Sequence, residues 1–291
     1  MGVRLAGRGG GERGAGGGAP RGGRIWRTAP RPGELYIGQI NIQSLKPKLL
    51  ELRHDIDEHG FDVIVLNETW MRITTPNRLV PIPGYQLVRR DRPYNRGYGG
   101  VAVAARESLE LTTVERPGPP VAGSKLESLW VQLRAGSHRV MVCAAYRPPV
   151  QTQAQVSADL DELEEQIQHV LTRHSGPIVI AGDLNINIAC DTTANTRLRQ
   201  LLTTYTLQQH VNGPTYRSSG STIDVICSTH RVTRAGTTTL HLQPTQLDPR
   251  APASARLQAT GECGDGALLV PVGQGRGEPA VGCGGLESGV R

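Results

Sequence analysis

The chain has 291 residues and a formal charge of +6, and residues 1–33, with seven Arg against Glu12 alone, carry all of it. The pI near 9.3 therefore describes a tail and does not mark the other 258 residues as a basic body. No run approaches the roughly 18 apolar residues of a membrane span, the N-terminus lacks a secretory apolar stretch, and five cysteines without CxxC spacing argue against a disulfide framework.

Glycine divides as charge does: twelve of the 36 Gly lie in 1–33 and ten in 261–291. Residues 1–33 are expected to be a disordered Gly/Arg-rich tail, because such a segment buries too little apolar surface to offset chain entropy. It either holds nucleic acid loosely through phosphate attraction or is inert flanking sequence. Residues 258–291 lack periodicity and are expected to be a second, Gly-rich disordered tail. A single domain is expected over 34–257.

Within that domain strand and helix signals alternate. Residues 35–42 (LYIGQINI) predict a strand, and Leu45, Leu49, Leu52 and Ile56 predict a helix over 45–59. Residues 62–68 (DVIVLNE) form a short apolar run of the kind buried on both faces. YQLVRRD (85–91) and GGVAVAAR (99–106) predict two more strands, and ESLWVQLR (127–134) with HRVMVCAAY (138–146) predict a hairpin. Val156, Leu160, Leu163, Ile167, Val170 and Leu171 mark one face of a helix over 154–173. A buried strand at 176–185, a helix at 195–207 and a strand at 221–228 follow. Buried strands, hairpins and helices in this mixture predict an α/β architecture of sheets packed inside flanking helices.

Polar residues fall where these apolar runs end: Asn41 after Ile40, Asn67-Glu68 after VIVL, Asp183 and Asn185 around the end of IVIAG, and Asp224 inside TIDVI. A buried carboxylate is costly unless paired or bound to a metal, and ligands of α/β sheets gather at the carboxyl ends of strands. An oxygen-only ligand set points to Mg²⁺ or Mn²⁺. Each residue alone is equally a turn former or a helix cap.

INIQSL (40–45), LNETW (66–70), GGVAVA (99–104), AYRPP (145–149), IAGDLNIN (180–187), GPTYR (213–217) and STIDVI (221–226) follow one another in an order that resembles the endonuclease/exonuclease/phosphatase superfamily. More closely, the chain resembles the apurinic-type endonuclease domain of non-LTR retrotransposons, from about Leu35 to at least Ile226. Retroelement frames of that kind normally continue into a reverse transcriptase, and nothing in this sequence does so.

The resemblance implies a four-layered α/β sandwich of two mixed β-sheets flanked by helices, DNase I-like; the sequence after residue 250 no longer reads as strand-rich, so the last strand is either retained or missing or degraded. It implies a Mg²⁺-dependent nuclease acting on DNA, without membrane or obligate protein partner. It also implies a nuclear location if genomic DNA is the substrate. Glu68 would be the main metal ligand, assisted by Asn41. Tyr146 would contact the scissile phosphate. Asp183 would deprotonate the attacking water, and Asn185 would stabilise the transition state. Thr215 matches a position near a DNA phosphate, and Asp224 matches the acid that pairs with a catalytic histidine.

The family's closing Ser-Asp-His triplet is absent. Its place is taken by Leu247-Asp248-Pro249, so that Asp248 is retained and the histidine reads Pro249. Three readings follow: an impaired endonuclease, a catalytically inactive retroelement remnant that retains nucleic-acid binding, or a phosphatase of the same superfamily. His230 and His241 are substitutes for the missing ring or ordinary surface histidines. Arg89, Arg90, Arg92 and Arg96, after the loop at Pro76, Pro81, Pro83 and Gly84, are phosphate contacts or a solvated Arg-rich turn. Glu127 is a support for the metal site or a plain strand-face carboxylate.

Overall fold

The computed structural model describes residues 35–93, 98–149, 152–216, 219–230, 236–239 and 266–272. Two six-stranded mixed sheets form the centre. The first is built from β1 (Leu35–Asn41), β2 (Val63–Asn67), β3 (Tyr85–Arg90) and β4 (Val101–Arg106), together with two late strands. The second contains β5 (Glu110–Val114), β6 (Glu127–Ala135), β7 (His138–Tyr146), β8 (Ile178–Asp183), β9 (Gln208–Gln209) and β10 (Asp224–Ser228). The late strands are β11 (Gly236–Thr239) and β12 (Gly266–Val272), and the first sheet runs β11-β12-β1-β2-β4-β3.

Each sheet holds one parallel pair, β1–β2 or β7–β8, among antiparallel neighbours. Parallel strands need a crossover. α1 (Leu49–His59) supplies it for the first pair and α2 (Gln153–Leu171) for the second. α3 (Thr193–Thr204) joins α2 on the outer face of the second sheet.

Strand periodicity sorts the core into layers. Ile37, Val65, Val103, Val131, Val142, Ala144, Val179, Ala181 and Ile226 point inward and pack between the sheets. Ile40, Ile64, Leu66, Ala102 and Ala104 point outward against Leu52 and Ile56 of α1. Met141, Cys143, Ile180, Val225 and Cys227 point outward beneath Leu160, Leu163, Leu198 and Leu201 of α2 and α3. Helix, sheet, sheet and helix make the four-layered sandwich that the resemblance implies.

Three expectations are corrected. The helix expected over 45–59 begins at Leu49, because Gln43 and Ser44 adopt positive φ and 45–48 form a turn. The edge strand β5 was not foreseen, since ELTTV alternates weakly and is mostly exposed. Residues 258–291, expected without fold, contribute β12, so a late strand is present beside β1. A leading glycine and Pro271 hid it, since proline donates nothing to a ladder. Opposite Pro271, Tyr36 turns its backbone to the other side: its amide donates to Asp62 Oδ2 at 2.9 Å and its carbonyl accepts the Asp62 amide at 2.8 Å, so this position asks no donor of β12. Among the described residues no helix is long and apolar enough to cross a membrane.

Candidate active site

The inward face changes from apolar to polar at one end. Counting by twos, β1 reads Ile37, Gln39, Asn41; β2 reads Val63, Val65, Asn67; β7 reads Val142, Ala144, Tyr146; β8 reads Val179, Ala181, Asp183. Register aligns these ends. Asn41 lies beside Asn67 in the first sheet, and Tyr146, Asp183 and Asp224 lie side by side in the second. Glu68 and Asn185 follow in the turns after β2 and β8.

The two sheets meet here through hydrogen bonds. Asn41 Nδ2 donates to Glu68 Oε1 at 2.9 Å and to Asp183 Oδ2 at 2.8 Å, bridging two carboxylates from different sheets. Gln39 Nε2 donates to Asn67 Oδ1 at 2.8 Å and to Asp224 Oδ1 at 3.0 Å, and Asn67 Nδ2 donates to the Ala145 carbonyl at 3.0 Å. Trp70 Nε1 donates to Glu68 Oε2 at 3.0 Å. The Asn185 amide donates to Asp183 Oδ1 at 2.9 Å, and its side chain donates to the Arg147 carbonyl at 2.8 Å. Arg147 Nε and Nη2 donate to the carbonyls of Leu184 and Asn185 and fix that turn from below.

The backbone around the cluster is strained. Among the described residues six non-glycine residues have positive φ, and five of them (Gln43, Ser44, Glu68, Trp70, Asn185) follow β1, β2 and β8 at this end. Such conformations cost of order 1–3 kcal/mol each and concentrate where function over-determines the chain.

Electrostatics of the cluster favour a cation. Burial raises the Asp183 carboxyl well above its usual range, and the neighbouring Asp224 and Glu68 raise it further. Burial likewise holds Asp224 at about 6, against the opposing hydrogen bonds from Thr215 and Gln39. The groups that hydrogen-bond these three carboxylates are neutral: carboxamides, an indole, a backbone amide and a hydroxyl. Asn41 Oδ1 is buried without a partner among the described residues. An amide's nitrogen and oxygen are assigned from its neighbours. Turned over, this one presents oxygen beside two carboxylates, which only a cation makes favourable. Glu68 and a turned Asn41 thus offer the hard oxygen donors that a divalent cation takes.

Other expected residues stand differently. Thr215 is buried, and its Oγ1 accepts the amides of Ile223 and Asp224 at 3.1 and 3.2 Å, so it anchors the start of β10 and faces no open surface. Arg92 Nε donates to Glu127 Oε1 at 2.6 Å, and the Gly100 amide donates to Glu127 Oε2 at 2.5 Å. A largely buried carboxylate captures the nearest cation, so Arg92 is held in an internal ion pair with Glu127. Arg89 is tied to Asp91 and Asn77, and Arg90 to the Ser128 carbonyl. Arg96, His241, Asp248 and Pro249 lie outside the described residues.

His230 lies beyond Ser228, and Ser228 pairs with Val179 while Asp224 pairs with Asp183. Four residues of strand, about 13 Å, therefore separate it from the cluster, and it does not replace the missing ring. Asn67 stands where the polar end of β2 predicted, whereas Gln39, Trp70 and Arg147 were not foreseen. Gln39 had a signal, since it shares a strand face with Asn41.

A sequence profile described as the Endonuclease/Exonuclease/phosphatase family matches residues 38–245. The RNA-directed DNA polymerase from mobile element jockey of Drosophila melanogaster is 29% identical over 117 residues. That match spans 40% of this chain and 12% of the relative, so the chain corresponds to a small part of that protein. The endonuclease domain of TRAS1, a telomere-specific non-LTR retrotransposon, superposes with a TM-score of 0.58 at 14% identity, covering 82% of this chain and 98% of that domain. AP endonuclease LMAP from Leishmania major gives 0.63 at 14% identity, covering 86% and 92%. Both likenesses concern the fold.

Proposed function

The chain belongs to the endonuclease/exonuclease/phosphatase family, and on that premise we propose that it is a divalent-metal-dependent endonuclease acting on DNA phosphodiester bonds. The observation that carries the proposal is the Asn41 carboxamide joining Glu68 of one sheet to Asp183 of the other, inside a cluster of three buried carboxylates. Glu68 and Asn41 would hold Mg²⁺ or Mn²⁺. Such an ion supplies charge stabilisation at the phosphate oxygens.

The protein's own groups cover the remaining needs. Asp183, with the proton affinity that burial and its neighbours impart, takes the proton of the attacking water. Asn185 uses one side-chain N–H on Arg147 and keeps a second for the developing charge on phosphorus oxygens. Tyr146, beside Asp183 in register, offers its hydroxyl to the same phosphate. Asp224, fixed by Gln39 and Thr215, maintains the field that orients these donors.

The test is nicking of supercoiled plasmid with Mg²⁺, comparing the wild type with Asp183→Ala. A loss of about 10³-fold or more is expected, since base and cluster are removed together. Equal nicking by the two proteins sinks the proposal.

Leu247-Asp248-Pro249 supports a second reading, an inactive remnant that keeps the fold. A missing transition-state donor costs about 10²–10³ in rate. Pro249→His then raises nicking at least tenfold if the alignment holds. A wild type that already nicks at that higher level removes the second reading.

A further inference from the structure

Trp70 has no part in the chemistry above, although it touches Glu68. Its indole Nε1 donates to Glu68 Oε2 at 3.0 Å, while Asn41 Nδ2 donates to Oε1 at 2.9 Å. The indole is itself braced by Tyr98, edge to face, with centroids 5.2 Å apart and planes at 67°. Glu68 and Trp70 have φ of 53° and 51°, so the turn depends on outside support.

That support is present on both sides. The Ser44 and Leu45 amides donate to the carbonyls of Glu68 and Thr69 at 2.9 and 3.0 Å, and the Thr69 and Trp70 amides donate to Gly100 and Gly99 at 3.2 and 2.9 Å. A Cβ at Gly100 would stand 2.7 Å from Thr69 Oγ1, so the 99–100 segment approaches this closely only as glycine. Glu127 holds the Gly100 amide from the second sheet.

We propose that Trp70 is a positioning residue that fixes the Glu68 carboxylate for a divalent cation, with Tyr98 bracing its ring. The proposal rests on the metal-dependent reading above. A glutamate side chain loses rotamer freedom when it binds an ion, and a donor that orders it beforehand removes part of that cost. An indole N–H is neutral. It orients the carboxylate without neutralising it, whereas Lys or Arg at this place would compete with the cation.

The experiment follows the thermal unfolding midpoint of the full chain against MgCl₂, with Mn²⁺ quenching of tryptophan fluorescence as a second readout for the wild type. The wild type is expected to gain stability with Mg²⁺. Trp70→Phe, which keeps a ring but no donor, is expected to need about tenfold more Mg²⁺ for the same gain. Trp70→His restores a ring N–H and is expected to recover most of that loss. Tyr98→Leu, which leaves the indole donor in place, is expected to fall between.

A Trp70→Phe titration that coincides with the wild type overturns the positioning role and leaves the metal reading standing. A wild type with neither a midpoint shift nor Mn²⁺ quenching overturns both. If Trp70→Phe lacks the wild-type circular dichroism, Tyr98→Leu decides: weakened Mg²⁺ response supports the proposal, and an unchanged one overturns it.

Discussion

The β1–β2 and β7–β8 units use the same device, a parallel pair closed by an outer helix, but they arrive at the site with opposite chemistry. The first brings carboxamides: Gln39, Asn41 and Asn67 end its strands, and its one acid, Glu68, stands outside the ladder at positive φ. The second brings acid within the ladder itself, with Asp183 directly opposite Asp224. Gln39 donates to Asp224, Asn41 to Asp183, and Asn67 to the Ala145 carbonyl, so each half supplies the donors or acceptors that the other lacks. The site exists only where the two sheets pack, and neither half is chemically complete.

The units also differ in how tightly their backbones approach. A Cβ at Gly182 in β8 would stand 1.7 Å from the Ala145 carbonyl oxygen of β7, whereas one at Gly38 in β1 would meet the Phe61 ring at 2.6 Å. Backbone cannot move aside as a ring can. Gly182→Ala should cost about 3 kcal/mol or more of unfolding free energy in urea, and Gly38→Ala about 1–3. A reversed order would break the comparison.

The acidic half should also respond to pH more than the amide half. The folded-state values of Asp183 and Asp224 are raised above 3.8, Asp224 to about 6. The native state then binds more protons than the unfolded chain between about 4 and 6. Without a cation, stability therefore falls as pH rises through that window and stays reduced above it. A divalent ion competes with those protons. The Mg²⁺-induced rise in melting temperature should be larger at pH 8 than at pH 5, and equal rises would contradict the electrostatic account of the cluster.

The smallest difference lies in the helices. Thr152 caps α2 in a reciprocal box with Gln155, while Lys48 at the start of α1 makes no side-chain cap. Thr152→Ala should lower stability by about 1 kcal/mol. No change would mean that α2 is held by its buried face alone.

Most strands and all three helices were legible, because period-2 and period-3.6 patterns are local properties of the chain. β12 was not, since its pairing with β1 joins residues more than 200 positions apart and Gly266 and Pro271 within it read as breakers. Of the site, Asn41, Glu68, Tyr146, Asp183, Asn185 and Asp224 could be named from polar residues ending apolar runs and from the family resemblance. Arg92 and Thr215 could also be named, but their partners could not. Whether an arginine faces a phosphate or Glu127 depends on which strand lies next to it.

By itself the sequence determined the alternation of elements, the confinement of net charge to residues 1–33, and the residue types that end each inner strand. Only the tertiary structure decided that Gln39 and Asn41 would cross from one sheet to hold acids of the other, that Trp70 would hold Glu68, and that His230 would stand at the far end of β10. The reason is one of range. Periodicity reports on neighbours a few residues apart, whereas a buried carboxylate is stabilised by whatever donor the packing of distant strands brings within 3 Å.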